Sequence, residues 1–440
     1  MSEFKHFGVP TKAEQPNATY LEGAKVWITD PEKHPYKVEF VRCEEGCPLP
    51  GPVQTTPHAA YRVDDIQAAI QGLEVILPPT PMGPDMTIAF VRDGDALLEL
   101  MQMGEAKPQK AMRKFINQPE NVVNELLEGM ALANAKMIKL AKKNLVVRAK
   151  AKSRKKVALV TLGGSGHEPA LSGYVGKGML DISVPGEIFA APGPPRVMEA
   201  LRKANRKSAG VLFIVLNHAG DVMTGNICMQ MVEKEGLNVK QVLTHEDISD
   251  KDPAERRGLS GALLVYKVAG AAAEMGKSLD ECVAIAQRMQ DNMATLAVAV
   301  SAATHPATGG VIAEVPNGQM CVGMGQHGEA GGGLQAIKTA DETAAIMLPL
   351  LLEEKKIAKG DKVLVMINGV GSTTLMEQYV ILRGAKKYLD AQGIEMVRCL
   401  CGEFLTVQEM GGFQMVVAKM DDELLALWDA PCETPALTVR

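Results

Sequence analysis

Residues 157–181 read VALVTLGGSGHEPALSGYVGKGMLD, and the rest of the chain is best understood from this segment. The apolar, β-branched run 157–161 predicts a buried strand. The glycine-rich turn that follows lets the backbone bend sharply and approach a ligand, because glycine has no Cβ. His167 comes next, and Pro169 suits the first turn of a helix. The segment therefore predicts an imidazole at the carboxyl end of a strand, where open α/β sheets bind ligands.

Two further loops carry the same kind of chemistry. Residues 211–215 form an apolar, strand-like run, and the sequence NHAGD two residues later ends at Asp221. Residues 322–333 read VGMGQHGEAGGG, with His327 at the centre of another glycine-dense turn. Imidazole and carboxylate groups suit proton transfer and covalent capture of a substrate. We therefore expect His167, Asp221 and His327 to serve one site.

The composition is typical of a cytoplasmic enzyme with two or three domains. The chain has 440 residues, of which 46% are hydrophobic, and a net charge of −5. This acidic balance and the 4% of aromatic residues argue against nucleic acid as a partner. No apolar run has membrane-spanning length, and the amino terminus lacks the apolar core of a signal peptide. The eight cysteines contain no CxxC pair, which favours reduced thiols.

From residue 157 onward, strand and helix patterns alternate. Strands are predicted at 157–161, 211–216, 240–244, 296–300 and 362–367, with helices at 261–274 and 279–293. This order predicts an α/β fold with βαβ units and largely parallel sheets. The segment 117–141 has apolar residues at helical intervals, with Asn117 as the predicted cap. The Lys- and Arg-rich residues 136–156 are interpreted as a solvated helix face.

The motifs after residue 112 resemble a known family. GGSGHEPA, GYVGKGMLD, NHAGDVM, RGLSGALLVYKVAGAAAE, GMGQHGEAG, NGVGSTTLMEQY and DDELLALWDAP occur in this order and are similar to the dihydroxyacetone kinase K-subunit. The resemblance implies a K-subunit-type α/β domain at 117–440, preceded by a linker at 105–116. It also implies a homodimer and a small ketose as substrate.

The resemblance also implies a role for each candidate residue. His327 would hold the ketose carbonyl as a hemiaminal, Asp221 would take the proton of the reacting hydroxyl, and His167 would stabilise the developing charge. Substrate binding would fall to the turn residues Gly163, Gly164, Ser165 and Gly166. No Walker-type loop occurs in the sequence. ATP and Mg²⁺ are therefore expected only through a separate L-type nucleotide-binding subunit.

The sequence departs from the family pattern close to this site. Leu216 stands where the family has a lysine, Ala190 and Ala191 replace a Thr-Ser pair, and Leu162 replaces a glycine. These changes remove donors near the substrate, so the expected substrate is a dihydroxyacetone-like triose or a somewhat different ketose or ketose phosphate, such as a tetrulose. His218 stands where the family often has tyrosine, which leaves a role in lining the site open, although a core or surface position is favoured.

Residues 1–104 show a different pattern of predicted elements, with short strand-like runs at 26–29, 38–41, 58–63, 87–91 and 96–101. A helix pattern follows Asp64 and Asp65, which predicts an α+β domain. KHFGVPT, YKVEFVR, HAAYRVDDIQAAI and AFVRDGDALLELM resemble the vicinal oxygen chelate, or glyoxalase-like, superfamily of βαβββ modules. That resemblance implies a divalent metal held by four side chains on the first and last strands of each module, namely His6, Glu39, His58 and Glu99.

Three functions remain open from the sequence. The first is a ketose kinase substrate-binding subunit fused to a glyoxalase-like domain. The second is a metal-dependent ketose or ketose-phosphate isomerase or epimerase. The third is a non-catalytic ketose sensor. Retention of Asp221 favours the first, because a sensor needs no base, whereas Leu216 and the pair Ala190–Ala191 favour the other two.

Overall fold

The computed structural model of the chain consists of two compact units, residues 1–113 and 114–440. It describes residues 3–21, 24–82, 86–103, 114–150, 152–206, 208–306, 309–325, 328–329 and 331–440. His327 lies outside these residues. No helix in the described part of the chain is both long and apolar enough to span a bilayer.

The first unit is built on one eight-stranded sheet with the order β2-β3-β4-β1-β5-β8-β7-β6. Its elements are β1 (Glu3–Pro10), β2 (Thr19–Leu21), β3 (Val26–Ile28), β4 (Val38–Cys43), α1 (Gly51–Thr55), β5 (His58–Arg62), α2 (Ile66–Ala69), β6 (Glu74–Pro81), β7 (Met86–Asp93) and β8 (Ala96–Met103). Asp65 caps α2 as expected, since its carboxylate accepts from the backbone N–H groups of Gln67 and Ala68.

The sheet of the first unit repeats one arrangement twice. The first four strands lie in the order β1-β4-β3-β2 and the second four in the order β5-β8-β7-β6, counted outward from the central antiparallel pair β1–β5. Strands β4 and β8 run parallel to β1 and β5, respectively. The first and last strands of both halves therefore meet at the middle of the sheet.

The second unit contains the remaining elements. They are α3 (Val122–Ala133), β9 (Ile138–Ala141), β10 (Leu145–Arg148), β11 (Ala158–Ser165), β12 (Ile182–Ile188), α4 (Pro194–Asn205), β13 (Val211–Leu216), α5 (Ala219–Lys234), β14 (Val239–Thr244), α6 (Ala262–Glu274), α7 (Leu279–Asn292), β15 (Met293–Ala299), β16 (Ala303–Thr304), β17 (Val311–Ile312), β18 (Gln319–Val322), β19 (Leu334–Ala336), α8 (Ala340–Glu354), β20 (Lys362–Gly369), α9 (Leu375–Ala391), β21 (Glu395–Gly402), β22 (Gly412–Lys419), α10 (Asp422–Asp429), β23 (Cys432–Glu433) and β24 (Thr438–Val439).

Two six-stranded sheets and their helices form five layers. The sheet β14-β13-β11-β12-β10-β9 packs on α4 and α5 through one face, and on α6 and α7 through the other. The sheet β19-β18-β15-β22-β20-β21 covers the opposite side of α6 and α7 and carries α8 and α9 on its outer face. The mixed α/β class predicted from the sequence is confirmed.

Helix α6 lies in the central layer, which explains its Ala- and Gly-rich sequence. All its residues from Ala262 to Ala273 are buried. A Cβ on Gly270 would lie 2.4 Å from the carbonyl oxygen of Gly178. The helix therefore approaches a neighbouring loop more closely than any side chain would allow.

Two sequence predictions for this unit are wrong. The helix predicted at 117–141 covers only Val122–Ala133. The side chain of Asn117 does not cap this helix but donates a hydrogen bond to the carboxylate of Glu125. The Lys- and Arg-rich segment forms the antiparallel strands β9 and β10, in which the consecutive apolar residues Leu145, Val146 and Val147 are all buried. Only β11, β12, β13 and β14 form a parallel block, whereas the second sheet is antiparallel apart from the pair β20–β21.

Candidate functional site

A cavity of about 270 Å³ opens at the carboxyl ends of the parallel strands β11, β12 and β13. Each strand leads directly into residues that line it, as expected for an open parallel sheet. The lining residues are Gly163, Gly164, His167, Leu171, Phe189, Ala191, Leu216, His218, Ala219, Gly220, Asp221, Glu329 and Leu405. Two carboxylates and two imidazoles supply the titratable groups of this lining.

His167 is held by a loop from the other sheet, residues 404–408, which we call the clasp loop. The Nδ1 atom of His167 lies 2.7 Å from the carbonyl oxygen of Thr406, and the N–H of Thr406 donates to the carbonyl of His167 over 3.1 Å. The side chain of Gln408 bonds the carbonyl of Gly166. Because a carbonyl can only accept, Nδ1 carries the hydrogen, and the lone pair of the neutral ring is on Nε2.

Asp221 lies in the first turn of α5 and is buried. Its Oδ1 atom has no hydrogen-bond partner, and burial raises the pKa of the carboxyl group from 3.8 to about 7. The apolar side chain of Leu216, which replaces a lysine expected from the sequence family, lines the same cavity. Asp221 is therefore poised to exchange a proton near neutral pH.

The structure brings together most of the residues predicted from the turn motifs. Gly163 and Gly164 line the cavity with His167 and Asp221. Ser165 does not, because its hydroxyl is buried and donates to the carbonyl of Gly186, so the expected hydroxyl contact with a ligand is corrected. Gly166 also lies outside the lining, and its N–H donates to the carboxylate of Glu168.

Several cavity residues were missed from the sequence. His218 lines the cavity, which is the alternative to the favoured core or surface position. Phe189 has a φ of 55°, and its ring packs against that of His167 with the centroids 4.8 Å apart and the planes tilted by 46°. Glu329 belongs to the same glycine-rich loop as His327, and this proximity was the available signal. Leu405 comes from a distant part of the sequence, and no local pattern marked it.

A second site lies at the middle of the first unit's sheet. His6 on β1, His58 on β5 and Glu99 on β8 offer ligand atoms within 4.8 Å of one another, and all three are buried. The Nε2 atom of His6 is 3.4 Å from one carboxylate oxygen each of Glu39 and Glu99, and that of His58 is 3.3 Å from Glu99. The two Nε2 atoms have no hydrogen-bond partner.

His6, His58 and Glu99 form a cluster that fits a divalent cation, and Glu39 lies beside it, with one carboxylate oxygen 3.4 Å from Nε2 of His6. Two imidazole nitrogens and two carboxylates are ligands that Zn, Fe, Mn and Ni accept, and buried ring nitrogens without hydrogen bonds are suited to coordination. Burial lowers the pKa of His6, but Glu39 and Glu99 outweigh it and raise the pKa to about 9. A Cβ on Gly8 would lie 2.0 Å from Nε2 of His58, so glycine at this position makes room for the ring.

Comparison with known proteins identifies the family of the second unit. Residues 128–436 match the Dak1 domain. The dihydroxyacetone-binding subunit DhaK of a PTS-dependent dihydroxyacetone kinase from Listeria innocua is 36% identical over 315 residues, which are 71% of this chain and 95% of that protein. The DhaK subunit of the PEP-dependent kinase of Escherichia coli is 34% identical, with 74% and 99% covered. A D-erythrulose kinase from Mycolicibacterium smegmatis is also 34% identical, but this chain spans only 56% of it.

Solved structures agree with this assignment. The dihydroxyacetone kinase operon co-activator DhaQ has a TM-score of 0.68 and 28% identity, with 72% of this chain and 98% of that chain covered. The dihydroxyacetone kinase of C. freundii has the same TM-score and identity, with 74% and 60% covered. The matching relatives are thus dihydroxyacetone and erythrulose kinases or their ketose-binding subunits. The chain belongs to the Dak1 family.

Proposed function

We propose that the chain is the substrate-binding subunit of a kinase for a small ketose. The observation that carries this proposal is the position of Asp221 and His167 in one cavity at the carboxyl ends of β11 and β13. Glu329, two residues after His327, lines the same cavity. This supports the assignment of His327 as the residue that binds the carbonyl carbon as a hemiaminal.

Each group has a defined task in the proposed reaction. The imidazole of His327 adds to the ketone carbon, which fixes the substrate and gives the carbonyl oxygen a proton. Asp221 accepts the proton of the terminal hydroxyl as its oxygen bonds to phosphorus. His167, oriented by Thr406, stabilises charge on the substrate oxygens. The backbone of Gly163 and Gly164 lines the cavity, and the absence of a Cβ makes room for Leu171 and for the backbone of Phe189 and Ala190.

The phosphoryl donor is proposed to come from an L-type partner subunit that carries nucleotide and Mg²⁺. Two relatives support this division, because their names describe them as dihydroxyacetone-binding subunits of kinases. The C. freundii kinase was crystallised with AMP-PNP and Mg²⁺, and this chain covers 61% of it. Positioning and charge stabilisation dominate catalysis of phosphoryl transfer.

The test is reconstitution with an L-type subunit, its phosphoryl source and a panel of trioses and tetruloses. Sugar phosphate should form and be detected by mass spectrometry. His327→Ala should lose ketose binding, whereas Asp221→Asn should bind ketose but lose turnover by about a hundredfold or more. If the panel yields no sugar phosphate while a crystal soaked with ketose shows density on His327, the sensor hypothesis replaces the kinase. The similarity to the co-activator DhaQ is the observation that favours this second candidate function.

We propose that the first unit is a glyoxalase-like domain that binds a divalent metal through His6, Glu39, His58 and Glu99. Two observations support this proposal: the twofold repeat of the sheet, and the buried ring nitrogens of His6 and His58, which have no hydrogen bonds. A metal held there would polarise the oxygens of a chelating substrate, which suits isomerisation or epimerisation of a carbonyl compound.

Metal binding can be measured on the full chain without an activity assay. Elemental analysis after dialysis against Mn, Zn, Fe and Ni should give about one equivalent of a preferred metal. His58→Ala and Glu99→Gln should each lower the affinity by about tenfold or more. Gly8→Ala should do so as well by displacing His58, whereas Gly51→Ala, whose Cβ would meet no atom within 4 Å, is the glycine control. Wild-type protein that retains no metal would contradict the proposal.

We further propose that the second unit forms a homodimer through the outer face of α9. Leu375, Met376, Tyr379 and Val380 are all exposed there, beside an apolar cavity of about 340 Å³. Exposed apolar patches of this kind mark protein interfaces. Light scattering should give a dimer for the wild type and a monomer for Tyr379→Glu, with Met275→Glu as an exposed control. A dimer that persists in Tyr379→Glu places the interface elsewhere.

A further inference from the structure

The residue proposed to bind the ketose lies in a glycine-rich segment, residues 322–333, which we call the His327 loop. Six of its twelve residues are glycines. Glycine loses more backbone entropy on folding than any other residue, and it has no side chain that can pack against a neighbouring segment. A loop of this composition therefore needs contacts from other parts of the chain to keep one conformation.

The side chain of Arg257 contacts this loop on both sides of His327 in the chain. Its Nη2 atom donates a hydrogen bond to the carbonyl oxygen of Gly323 over 3.0 Å. Its Nη1 atom lies 3.6 Å from Oε2 of Glu329 and forms an ion pair with it. A Cβ on Gly325 would lie 2.1 Å from the same Nη1 atom, so the guanidinium packs directly against the backbone there.

The guanidinium group of Arg257 is itself anchored from the side opposite the loop. Its Nε atom donates to Oδ2 of Asp247 over 2.9 Å, and Nη2 donates to Oγ of Ser249 over 2.6 Å. Asp247 is fully buried, and its backbone forms a parallel bridge with Thr295 of β15. The His327 loop is therefore connected to the second sheet through this one side chain.

These contacts use the shape of a guanidinium as well as its charge. Nε has one hydrogen and Nη2 has two, and these three hydrogens serve the acceptors on Asp247, Ser249 and Gly323. Nη1 then faces Glu329. A lysine would keep the positive charge, but its ammonium group is a compact point charge without the planar fork that spans these partners. Lysine at this position should therefore release the loop.

The position of the loop matters because carbonyl addition depends strongly on geometry. A ring nitrogen of His327 would form a bond to the ketone carbon, the π electron pair of the carbonyl would move to oxygen, and the imidazole N–H proton would end on that oxygen. The reacting atoms must first lie about 3–3.5 Å apart, and a displacement of about 1 Å can cost about a hundredfold.

We propose that Arg257 is a positioning residue for the carbonyl-binding step. Its guanidinium holds the His327 loop at Gly323 and Glu329, so that the imidazole meets the ketone carbon in a reactive geometry. This inference rests on the proposed function, and it adds to that function a residue that acts through the loop without touching the substrate.

The neighbouring Arg256 provides a matched control. Its guanidinium forms a bidentate pair with Glu354 of α8 over 2.7 and 3.0 Å, and its side chain is as buried as that of Arg257, with 11% and 14% exposed. Within the described part of the chain, its side-chain hydrogen bonds go to Asp250 and Glu354, which lie outside the His327 loop. Substitution of Arg256 therefore removes a comparable ion pair without a contact to the loop.

The test is carbon-13 nuclear magnetic resonance of the full chain with dihydroxyacetone labelled at its carbonyl carbon. Addition turns the ketone carbon into a tetrahedral carbon with a separate resonance, and His327→Ala gives the background of hydrated ketone. At one ketose concentration, Arg257→Lys should lower the adduct fraction by about tenfold or more. Gly325→Ala should do the same, because its Cβ displaces Nη1 of Arg257. Arg256→Lys should keep the wild-type fraction.

Chemical rescue distinguishes positioning from a general loss of stability. Arg257 lines a surface cavity of about 690 Å³, so its truncation in Arg257→Ala leaves a space that a small cation can enter. Methylguanidine, at a concentration too low to denature the protein, should restore part of the adduct signal in this variant. The melting temperature should fall in both Arg256→Lys and Arg257→Lys, whereas the adduct fraction should fall in the second variant alone.

The outcomes separate this inference from the proposed function. A wild-type adduct fraction in Arg257→Lys and Gly325→Ala, or an equal loss in Arg256→Lys, overturns the role of Arg257 and leaves ketose binding intact. If the wild type forms no adduct, the proposed hemiaminal fails and the role of Arg257 fails with it. Circular dichroism verifies folding. If Arg257→Lys does not fold, Gly325→Ala decides, because the backbone at this glycine is not left-handed and accepts alanine.

Discussion

The pKa of Asp221 is determined by the surroundings of its carboxylate. A side chain in the first turn of a helix is ordinarily stabilised as an anion. Here burial outweighs that effect and raises the pKa to about 7. A lysine at the position of Leu216 would oppose this shift, because a nearby cation favours the charged carboxylate.

The first prediction at this scale concerns pH. We expect kcat/KM of the reconstituted kinase to fall as pH is lowered through about 7, since protonated Asp221 cannot accept a proton. In Leu216→Lys the acidic limb of the profile should move to lower pH. Steady-state kinetics between pH ~5 and ~9 measures both profiles. An acidic limb in the same place in both proteins would rule out Asp221 as its source.

The second prediction concerns stability. Because the pKa of folded Asp221 lies above the ordinary value of 3.8, the charged carboxylate destabilises the fold above that value, fully so above pH about 7. Asp221→Asn should therefore raise the free energy of unfolding by about 1 kcal/mol or more at pH 8 while it removes turnover. The gain should vanish toward pH 4. Denaturant unfolding at the two pH values measures it, and an equal effect at both would contradict the assignment.

Among the elements, the clasp loop connects the two sheets of the second unit at the active site. Asn368, at the end of β20, accepts hydrogen bonds from the N–H groups of Phe404 and Leu405 over 2.7 and 2.9 Å. Its side-chain amide donates to the carbonyl of Leu405. Through this loop, Thr406 orients the imidazole of His167.

We therefore predict that Asn368→Ala lowers kcat more than it weakens ketose binding. It should also reduce the free energy of unfolding by about 2 kcal/mol, because buried backbone groups lose their partners. Nuclear magnetic resonance of the His167 ring should show a shifted pKa. Ser372→Ala, in the loop that follows β20, is the control. Unchanged kinetics together with lost stability would limit Asn368 to a structural role.

Helix α6 gives a further prediction for an element. Gly270→Ala should destabilise the protein by about 1–3 kcal/mol, because its Cβ would lie 2.4 Å from a backbone oxygen that cannot move freely. Gly129→Ala in α3 is the matched control, since a Cβ there meets nothing within 4 Å. That change should stabilise the helix by about 0.5–1 kcal/mol. Thermal unfolding measures both, and equal effects would mean that helix propensity alone determines the outcome.

The whole molecule joins two units, each with its own hydrophobic cores. Metal and ketose are proposed to bind different units, so each ligand should stabilise one of them. Linkage predicts about 2.7 kcal/mol of stabilisation at a hundredfold excess of ligand over Kd.

Scanning calorimetry should accordingly show two transitions. The preferred metal should raise the midpoint of one by about 10 °C, and erythrulose should raise only the other. His6→Ala should remove the effect of the metal and keep that of the sugar. A single transition that responds to both ligands would show that the units unfold together.

The sequence alone determined the strands and helices with strong periodicity and the motifs that carry His167, Asp221, His6 and His58. The spacing of apolar residues and the glycine-rich turns are local signals, so they can be recognised without a structure. The sequence-based prediction failed for residues 136–156, where the many charged residues concealed two short strands with buried apolar residues. Only the tertiary structure decided that Thr406 orients His167, that Asp221 is buried without a partner on Oδ1, and that His218 faces Glu329, because these relations join residues far apart in the chain.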